Sequence, residues 1–484
     1  GPHGLPAVLD RNGNLIEVLP APVSPRNMAL VQNQAGKLVE AARVTVGSDR
    51  KAVFRDASGK VIAQPKLNIP ANLKGARVGV RFFTEINEPI IVGPDRIVFD
   101  VSPAQAGGSG VLLAQNGSVV YYTILANDVF AYFASQINSQ NPVPSAMFPT
   151  TQADLNAIQQ YAGQTFPDGV ALAVEVKLSW VDISAVQNPQ NYITSPALVP
   201  TYDTSNPQKW VPTGQKFTTL ALVGVHFVGS VTNHPEMVWS TFENFNNSPV
   251  GQYQYVNSSG QPATGPGTAS GPWLFSSSNP GTFNVAHANY QTPPYIQGSP
   301  IPNQPGQFFN VSPSDTQLVY QFGVSPNTVP PNQEDITPAA ANTEVLSSNI
   351  SVLTQLASGD VRGHYYLVGS TWTVGGYAPT GQYGIPSSNT GNGAEIGTNR
   401  LANSTMETYH QASSSANPPQ GSGSNCFSCH KNSTTGHKAT TDVSHIFSDL
   451  MPLGSVPAVS PTDAPPPHVI PTLMRNAAPA KKKK

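Results

Sequence analysis

Two Asn-Gly pairs, each between short apolar runs, constrain the fold of this 484-residue chain more than any other feature of its sequence. The pairs are Asn12-Gly13 and Asn116-Gly117. Both residue types accept the positive φ angles that a two-residue hairpin turn requires, so this pattern is the strongest short hairpin signal. The first part of the chain is therefore predicted to form β-hairpins.

Further apolar segments, many of them β-branched and partly alternating, predict additional strands. They span residues 77–83, 90–92, 97–101, 170–180, 220–228 and 365–368. Helices are predicted at residues 127–139, 151–161 and 342–357, where apolar residues recur at helical spacing or a capping residue precedes them. The expected fold class is mainly β with a few helices: a sandwich-like body that carries a small C-terminal segment with short helices.

The composition indicates an exported protein. Only 11% of the residues are charged, against about a quarter in a typical protein, and Ser, Thr, Asn, Gln, Gly and Pro take their place. The formal net charge of -2 gives no reason to expect binding to nucleic acid. The longest apolar stretch, residues 220–231, is shorter than the roughly 20 residues that a membrane-spanning helix needs. We therefore expect a mature chain without its signal peptide and without a membrane span.

The two cysteines of the chain stand together as Cys426-Phe427-Ser428-Cys429-His430. This is the C-x-x-C-H pattern of c-type haem attachment. One helical turn presents two thiols to the two vinyl groups of a porphyrin, and the next residue supplies an imidazole to the iron. The sequence therefore predicts one covalent haem c, with thioethers to Cys426 and Cys429 and with His430 as proximal ligand.

Three other uses of the two cysteines remain open. They are a small, strained disulfide, a zinc site completed by His437 and His445, and a thioredoxin-like redox motif, for which the expected βαβ context is missing. By cysteine arithmetic, a chance occurrence of the full pattern is on the order of one in ten thousand. The haem interpretation is therefore favoured.

A second iron ligand is predicted downstream of the motif. His445 is favoured because neutral imidazole is the commonest metal ligand and because Ile446 and Phe447 follow it and could cover the porphyrin. Met451 is the alternative, although it precedes a proline and so lies in extended chain. Candidates ranked lower are Met406, His410, His437, His468 and Met474.

Residues 234–243 are predicted to form a short helix with Pro235 at its first position. His234, Glu236 and Glu243 then have two interpretations: an acid and base set beside the haem, or caps and hydrogen-bond partners with a structural role. The structural interpretation is favoured, because clustered ionisable groups are common in structural networks. The same holds for Glu85 and Glu88.

The motif segment resembles cytochrome c, and the wider chain resembles a group of large bacterial proteins described only as cytochrome c family. The resembling segments are residues 234–243, 401–408, 426–430 and 444–447. This resemblance implies a haem protein whose long N-terminal part and haem segment belong to one architecture, and it implies no substrate. Since c-type haem is attached outside the bacterial cytoplasm, the expected localisation is periplasmic or extracellular.

The expected organisation has three parts: a β-rich body of one or two units at residues 1–400, a haem-binding segment at 401–455, and a disordered tail rich in Pro and Lys at 456–484. Because so short a haem segment cannot bury a porphyrin alone, the body must form part of the pocket. The expected function is one-electron transfer by an exported monohaem cytochrome that meets a redox partner protein. The alternatives are a haem-dependent oxidoreductase whose body binds the substrate and a structural or surface haem protein.

Overall fold

The structure is a computed structural model that describes most of the chain up to residue 447. The described residues are 7–9, 15–22, 24, 29–46, 51–67, 69, 73, 78–83, 89–93, 96, 98–99, 111–140, 142–251, 253–265, 267, 271–277, 290–292, 295–315, 338–380, 391–398, 401–406, 426–430 and 439–447. The predicted tail at 456–484, together with Glu85, Glu88, His410, His437, Met451, His468 and Met474, lies outside these residues.

The N-terminal strands form one five-stranded sheet and two separate hairpins. The sheet has the order β1-β2-β7-β8-β9, in which β2 and β7 are parallel and the other neighbours antiparallel. The pairing of β1 with β2 confirms the first predicted hairpin, whose turn lies outside the described residues. These strands are β1 (Ala7–Leu9), β2 (Leu15–Pro20), β3 (Ala29–Gln32), β4 (Leu38–Ala41), β5 (Arg43–Val46), β6 (Ala52–Arg55), β7 (Val78–Phe83), β8 (Pro89–Val92) and β9 (Val98–Phe99).

A large antiparallel sheet dominates the rest of the chain. Its main path runs β10-β11-β13-β14-β19-β20, and β12 and β18 also pair with the long strand β13. The strands after β9 are β10 (Tyr121–Ala126), β11 (Val174–Asp182), β12 (Thr194–Asp203), β13 (Lys209–Val231), β14 (His234–Asn244), β15 (Tyr253–Val256), β16 (Pro262–Gly265), β17 (Tyr290–Thr292), β18 (Tyr295–Gln297), β19 (Tyr365–Thr373) and β20 (Glu395–Gly397). The prediction of a mainly β protein is thus confirmed.

The predicted turn at Asn116-Gly117 is present and uses the conformational freedom of glycine. Gly117 has φ +84°, and its N–H donates to the carbonyl of Ala114 at 2.8 Å. Its flanks pair through a single bridge between Leu113 and Val119, so the turn joins two short extended segments instead of long strands.

The helices lie close to their predicted positions, as α1 (Asp128–Asn138), α2 (Gln152–Ala162) and α3 (Pro338–Leu353). The Asn127 side chain caps α1 by accepting the Phe130 N–H at 3.0 Å. Thr151 and Asp154 form a reciprocal capping box at the start of α2. These local signals explain why the N-terminal ends of α1 and α2 could be predicted from sequence.

The prediction of a helix at residues 234–243 is wrong, because these residues form β14. The sequence alone does not show whether Pro235 begins a helix or a strand. What decides the outcome is pairing with β13 on one side and β19 on the other, which satisfies the backbone and buries alternate side chains. Glu236 and Glu243, seven residues apart, therefore do not share a helical face.

Side chains alternate between two cores along β13, as the two-residue period of a strand requires. Leu220 and Leu222 pack into the core shared with the N-terminal strands, whereas Ala221 and Val223 pack into the cluster on the opposite side. That opposite side also carries Trp239, and we call it the Trp239 face. Among the described residues, no helix is long and apolar enough to cross a membrane.

Candidate functional site

The two cysteines of the motif lie on one short helix, α4 (Cys426–Cys429), which is a single turn. The N–H of His430 donates to the carbonyl of Cys426 at 2.9 Å and so continues this turn by one residue. Residues three apart share one side of a helical turn, so the backbone presents positions 426 and 429 in the same direction. This is the spacing that attachment at two points of one ring requires.

The ring of His430 is oriented by a backbone carbonyl. Its Nδ1 lies 2.9 Å from the carbonyl oxygen of Val443. Since a carbonyl only accepts, Nδ1 must donate, and Nε2 is then the nitrogen that lacks a proton in the neutral ring. Metal-ligating histidines commonly hold their second ring nitrogen in this way. Nε2 of His430 therefore carries the free lone pair of the ring, and the donor set of the motif would fit a haem iron.

Aromatic side chains enclose the motif. The Trp239 ring lies 4.4 Å from the His430 ring and 5.7 Å from the Phe427 ring, between centroids, and Phe427 is fully buried. Burial, with His445 as the next contributor, holds the pKa of His430 well below its ordinary value. His430 is therefore neutral at neutral pH, the form in which imidazole binds a metal.

His445, the favoured second ligand, lies beside His430. Their ring centroids are 4.0 Å apart, and the ring planes are inclined by 19°, which is a face-to-face stack. Two axial imidazoles of one iron point at it along their ring planes from opposite sides, so His445 would have to turn out of this stack to act as the second ligand. The structure thus brings the two predicted histidines together, while the choice between His445 and Met451 stays a prediction.

Hydrogen bonds attach residues 439–447 to α1 and to the loop between α1 and α2. Thr440 donates its N–H to the carbonyl of Ala146 at 3.1 Å, and its hydroxyl accepts the Phe148 N–H at 2.9 Å. The Asn138 amide donates to the carbonyl of Phe447 at 2.6 Å. The segment that orients His430 is therefore fixed by the body.

Phe447 packs into an aromatic cluster of the body. Its ring centroid lies 5.5 Å from Phe148, 5.8 Å from Phe133 and 6.2 Å from Phe130. The sequence predicts that Phe447 covers a porphyrin, whereas in the structure its ring anchors residues 439–447 between α1 and residue 148. The ring that packs on His430 is that of Trp239.

Three ionisable side chains that the sequence analysis did not single out lie on the Trp239 face. Lys177 of β11 lies opposite His226 of β13. Glu175 lies opposite Val228, which in turn lies opposite Trp239 of β14. Glu175 accepts the hydroxyl of Ser444 at 2.7 Å, and burial raises the pKa of its carboxyl. Alternation within β11 places Glu175 and Lys177 on one face, but only the register between strands shows that this is the face that meets the motif.

Glu243 and Glu236 accept hydrogen bonds from neighbouring segments. Glu243 accepts the Ser404 N–H at 2.6 Å and the Ser404 hydroxyl. Glu236 accepts the Thr373 N–H at 3.1 Å and contacts Nδ1 of His234 at 2.9 Å. These contacts agree with the structural interpretation of the two carboxyl groups.

Residues 401–406 cover the Trp239 face beside the motif. Asn403 donates to the Thr241 hydroxyl at 2.8 Å, and Ser404 contacts Glu243. Met406 is buried in the cluster of Tyr122 and Val223, where it packs as a core side chain. Residues 401–406 and the motif therefore meet β14 on one face of the large sheet.

Glu395 is a buried carboxyl group on the same face, 1% exposed, and its Oε1 accepts the Thr371 hydroxyl at 3.0 Å. Thr371 lies opposite Trp239 in β14 and opposite Gly397 in β20. Glu395 is two residues from Gly397 in the same strand, so it lies on the Trp239 face. Burial raises the pKa of Glu395 well above its ordinary value. The folded chain therefore retains the Glu395 proton to a higher pH than an exposed Glu does.

We expect the unfolding free energy of Glu395→Gln to fall less than that of the wild type as pH rises. Above about pH 4.3, the ordinary pKa of a Glu, the unfolded state releases the Glu395 proton while the folded state retains it. The folded state then binds more protons, so this group lowers the unfolding free energy as pH rises. Urea unfolding at pH 5 and pH 8 should show a smaller fall in the variant than in the wild type. The exposed Glu344→Gln serves as control, and an unchanged fall in Glu395→Gln contradicts the prediction.

Among the described residues, no three His, Cys, Asp or Glu side chains gather in a group able to hold a metal ion. His437, which the zinc interpretation requires, lies outside the described residues. No protein-family model matches the chain, and neither curated proteins nor solved structures show a significant match to it.

Proposed function

We propose that this protein is an exported monohaem c-type cytochrome that transfers single electrons. In this proposal Cys426 and Cys429 bind haem c through thioethers, His430 is the proximal ligand and His445 the second ligand, with Met451 as the alternative. The observation that carries the proposal is the orientation of His430, which directly follows the two-cysteine turn and donates Nδ1–H to Val443.

A bound haem c supplies the one-electron couple of its iron. The chain's own residues provide the surroundings that this couple needs. Trp239 and Phe427 exclude water from the surroundings of His430, and the bond to Val443 fixes the direction in which Nε2 of His430 points. A ligand that is held in place in a site without water moves little when the iron changes its oxidation state. Such a site suits electron transfer.

The proposal assigns the sandwich-like β body a direct part in the site. The motif helix has only four residues, and its aromatic neighbour Trp239 comes from the body. Attachment of haem c outside the bacterial cytoplasm makes the proposed localisation periplasmic or extracellular. The proposed partner is another redox protein, which exchanges electrons at an exposed haem edge.

We expect His430→Ala to keep the thioethers but to lose the proximal bond, because both cysteines remain while the ligating imidazole is removed. The absorption spectrum of the purified variant should change to that of high-spin haem, or the haem should be lost on storage. His364→Ala, which changes a histidine in the turn before β19, is the control and should leave the spectrum unchanged. A low-spin spectrum in His430→Ala identical to that of the wild type would show that the ligand is misassigned.

One observation favours a second candidate, a haem-dependent oxidoreductase. Glu175, Lys177 and His226 form a row of groups able to exchange protons next to His430, and Lys177 and His226 both contribute to the depressed pKa of that histidine. A pure electron carrier has no need of such a row. An iron with an open face beside it could carry out chemistry on a small substrate.

Cyanide binding separates the two candidates. If His445 is the second ligand, the wild-type ferric protein should not bind cyanide, His445→Ala should bind it, and Met451→Ala should behave as the wild type. The reverse pattern, in which Met451→Ala opens the site, would reassign the ligand to Met451. Cyanide binding by the wild type itself would favour the oxidoreductase.

A further inference from the structure

A cavity of about 210 Å³ lies outside the candidate functional site and shares no residue with it. It is bounded by the turn at Asn116, the loop after β11 and the segment around Trp273. The electron-transfer proposal makes no use of this cavity, so the cavity needs an explanation of its own.

The polar groups of the cavity are amides. They belong to Gln115, Asn116, Gln187, Asn188 and Asn246. No Lys, Arg, Asp, Glu or His is among the lining residues. Each amide has two donor hydrogens and an acceptor oxygen. Gln115 uses one donor on the Ser314 carbonyl and Asn116 accepts the Ser118 N–H at 3.1 Å, so most of this capacity stays available to a ligand. The lining therefore suits a ligand that is neutral and rich in hydroxyl groups.

Two aromatic side chains, Tyr192 and Trp273, complete the lining. Tyr192 is buried, its phenol bonds to the Asn246 side chain, and burial raises its pKa, so the phenol stays protonated. Aromatic rings combine an apolar face with a polar edge. Such a face can pack against the C–H groups of a sugar ring while the amides bind its hydroxyls.

The walls of the cavity are pre-formed by backbone hydrogen bonds. The N–H of Gln115 donates to the carbonyl of Leu274 at 2.8 Å, and the N–H of Leu274 donates to that of Asn246 at 2.9 Å. At the rim, Gln187 and Asn188 are exposed, and the Asn188 side chain does not cap the helical turn that follows it. The fixed wall and the uncommitted amide at the rim together form a site that can accept a ligand without rearrangement.

We propose that this cavity binds one neutral sugar ring, either as a free sugar or as the terminal unit of a glycan. Ligand pockets for drug-sized molecules measure about 300–1,000 Å³, so a cavity of about 210 Å³ fits a single ring. The absence of cationic side chains from the lining disfavours sugar phosphates and uronic acids. The inference does not depend on haem binding.

The test is titration of the full chain with glucose, galactose, mannose and N-acetylglucosamine, followed by tryptophan fluorescence and calorimetry. At least one sugar should bind saturably, with a dissociation constant on the order of 1 mM because the ligand is small. Glucuronic acid should bind at least tenfold more weakly than the best sugar. Equal affinity for the methyl glycoside of that sugar indicates a glycan terminus as the natural ligand, and loss of affinity indicates the free sugar.

Variants assign the binding to the cavity. Trp273→Ala and Asn188→Ala should each weaken binding about tenfold or more, whereas Gln190→Ala, an exposed amide of the same loop outside the lining, should bind as the wild type. Since Asn188 is exposed, its variant is expected to fold even if Trp273→Ala does not. Absence of a saturable response to all four sugars up to about 50 mM, or unchanged affinity in the Asn188 variant, would overturn the proposal.

Discussion

Replacing both Cys426 and Cys429 by alanine is expected to abolish covalent haem completely. A thioether needs a thiol, and the sequence contains no cysteine other than these two. Any haem that the double variant still holds through His430 should dissociate when the chain is unfolded in acid. The measurement is the absorption of the unfolded chain after gel filtration, compared with the wild type purified in parallel.

The single variants sharpen this experiment. Cys426→Ala and Cys429→Ala each leave one thiol, so each should retain at most one thioether and attach haem less efficiently. Ser428→Ala, inside the same turn, removes a hydroxyl but no thiol and should attach haem as the wild type does. A double variant that keeps its haem after unfolding would refute the assignment of the attachment site.

Phe447→Ala is expected to cost about 3–5 kcal/mol in the docking of residues 439–447, the range for truncation of a buried Phe. The ring is 7% exposed and contacts three other phenylalanines, so its removal leaves a cavity between this segment and α1. Because Val443 of the same segment orients His430, the loss should also disturb the candidate site. Urea unfolding of the purified variants measures the change.

A matched control is Phe227→Ala, since Phe227 is 44% exposed. That variant should lose about 1 kcal/mol or less, as is usual for a surface substitution. Phe447→Leu, which keeps most of the apolar volume, should fall between the two. If Phe447→Ala and Phe227→Ala have the same unfolding midpoint, residues 439–447 do not depend on the aromatic cluster for their position.

Much of the secondary structure could be predicted because its signals are local. The caps of α1 and α2 and the turn at Asn116 each lie within a few residues of the element that they delimit. The strand β14 could not be predicted, because its conformation depends on pairing with β13 and β19, and β19 is more than a hundred residues away. In β14, pairing with neighbouring strands outweighs local propensity.

The candidate site likewise contains residues that the sequence identifies and residues that only the fold brings to them. The motif and its histidine could be identified because their spacing is contained in five residues. The partners Val443, Trp239 and Glu175 could not, because each lies on a different segment and meets the motif only through the register of the large sheet or the docking of residues 439–447. The ionisable row is therefore a product of the fold.

The central claim, one covalent haem c on this chain, is tested most directly by the intact mass of the unfolded wild-type protein together with its pyridine haemochrome spectrum. The claim predicts a mass that exceeds that of the polypeptide by one haem and a haemochrome spectrum of the c type, with one haem per chain. A mass equal to that of the bare polypeptide, after expression in cells able to attach haem c, would contradict it.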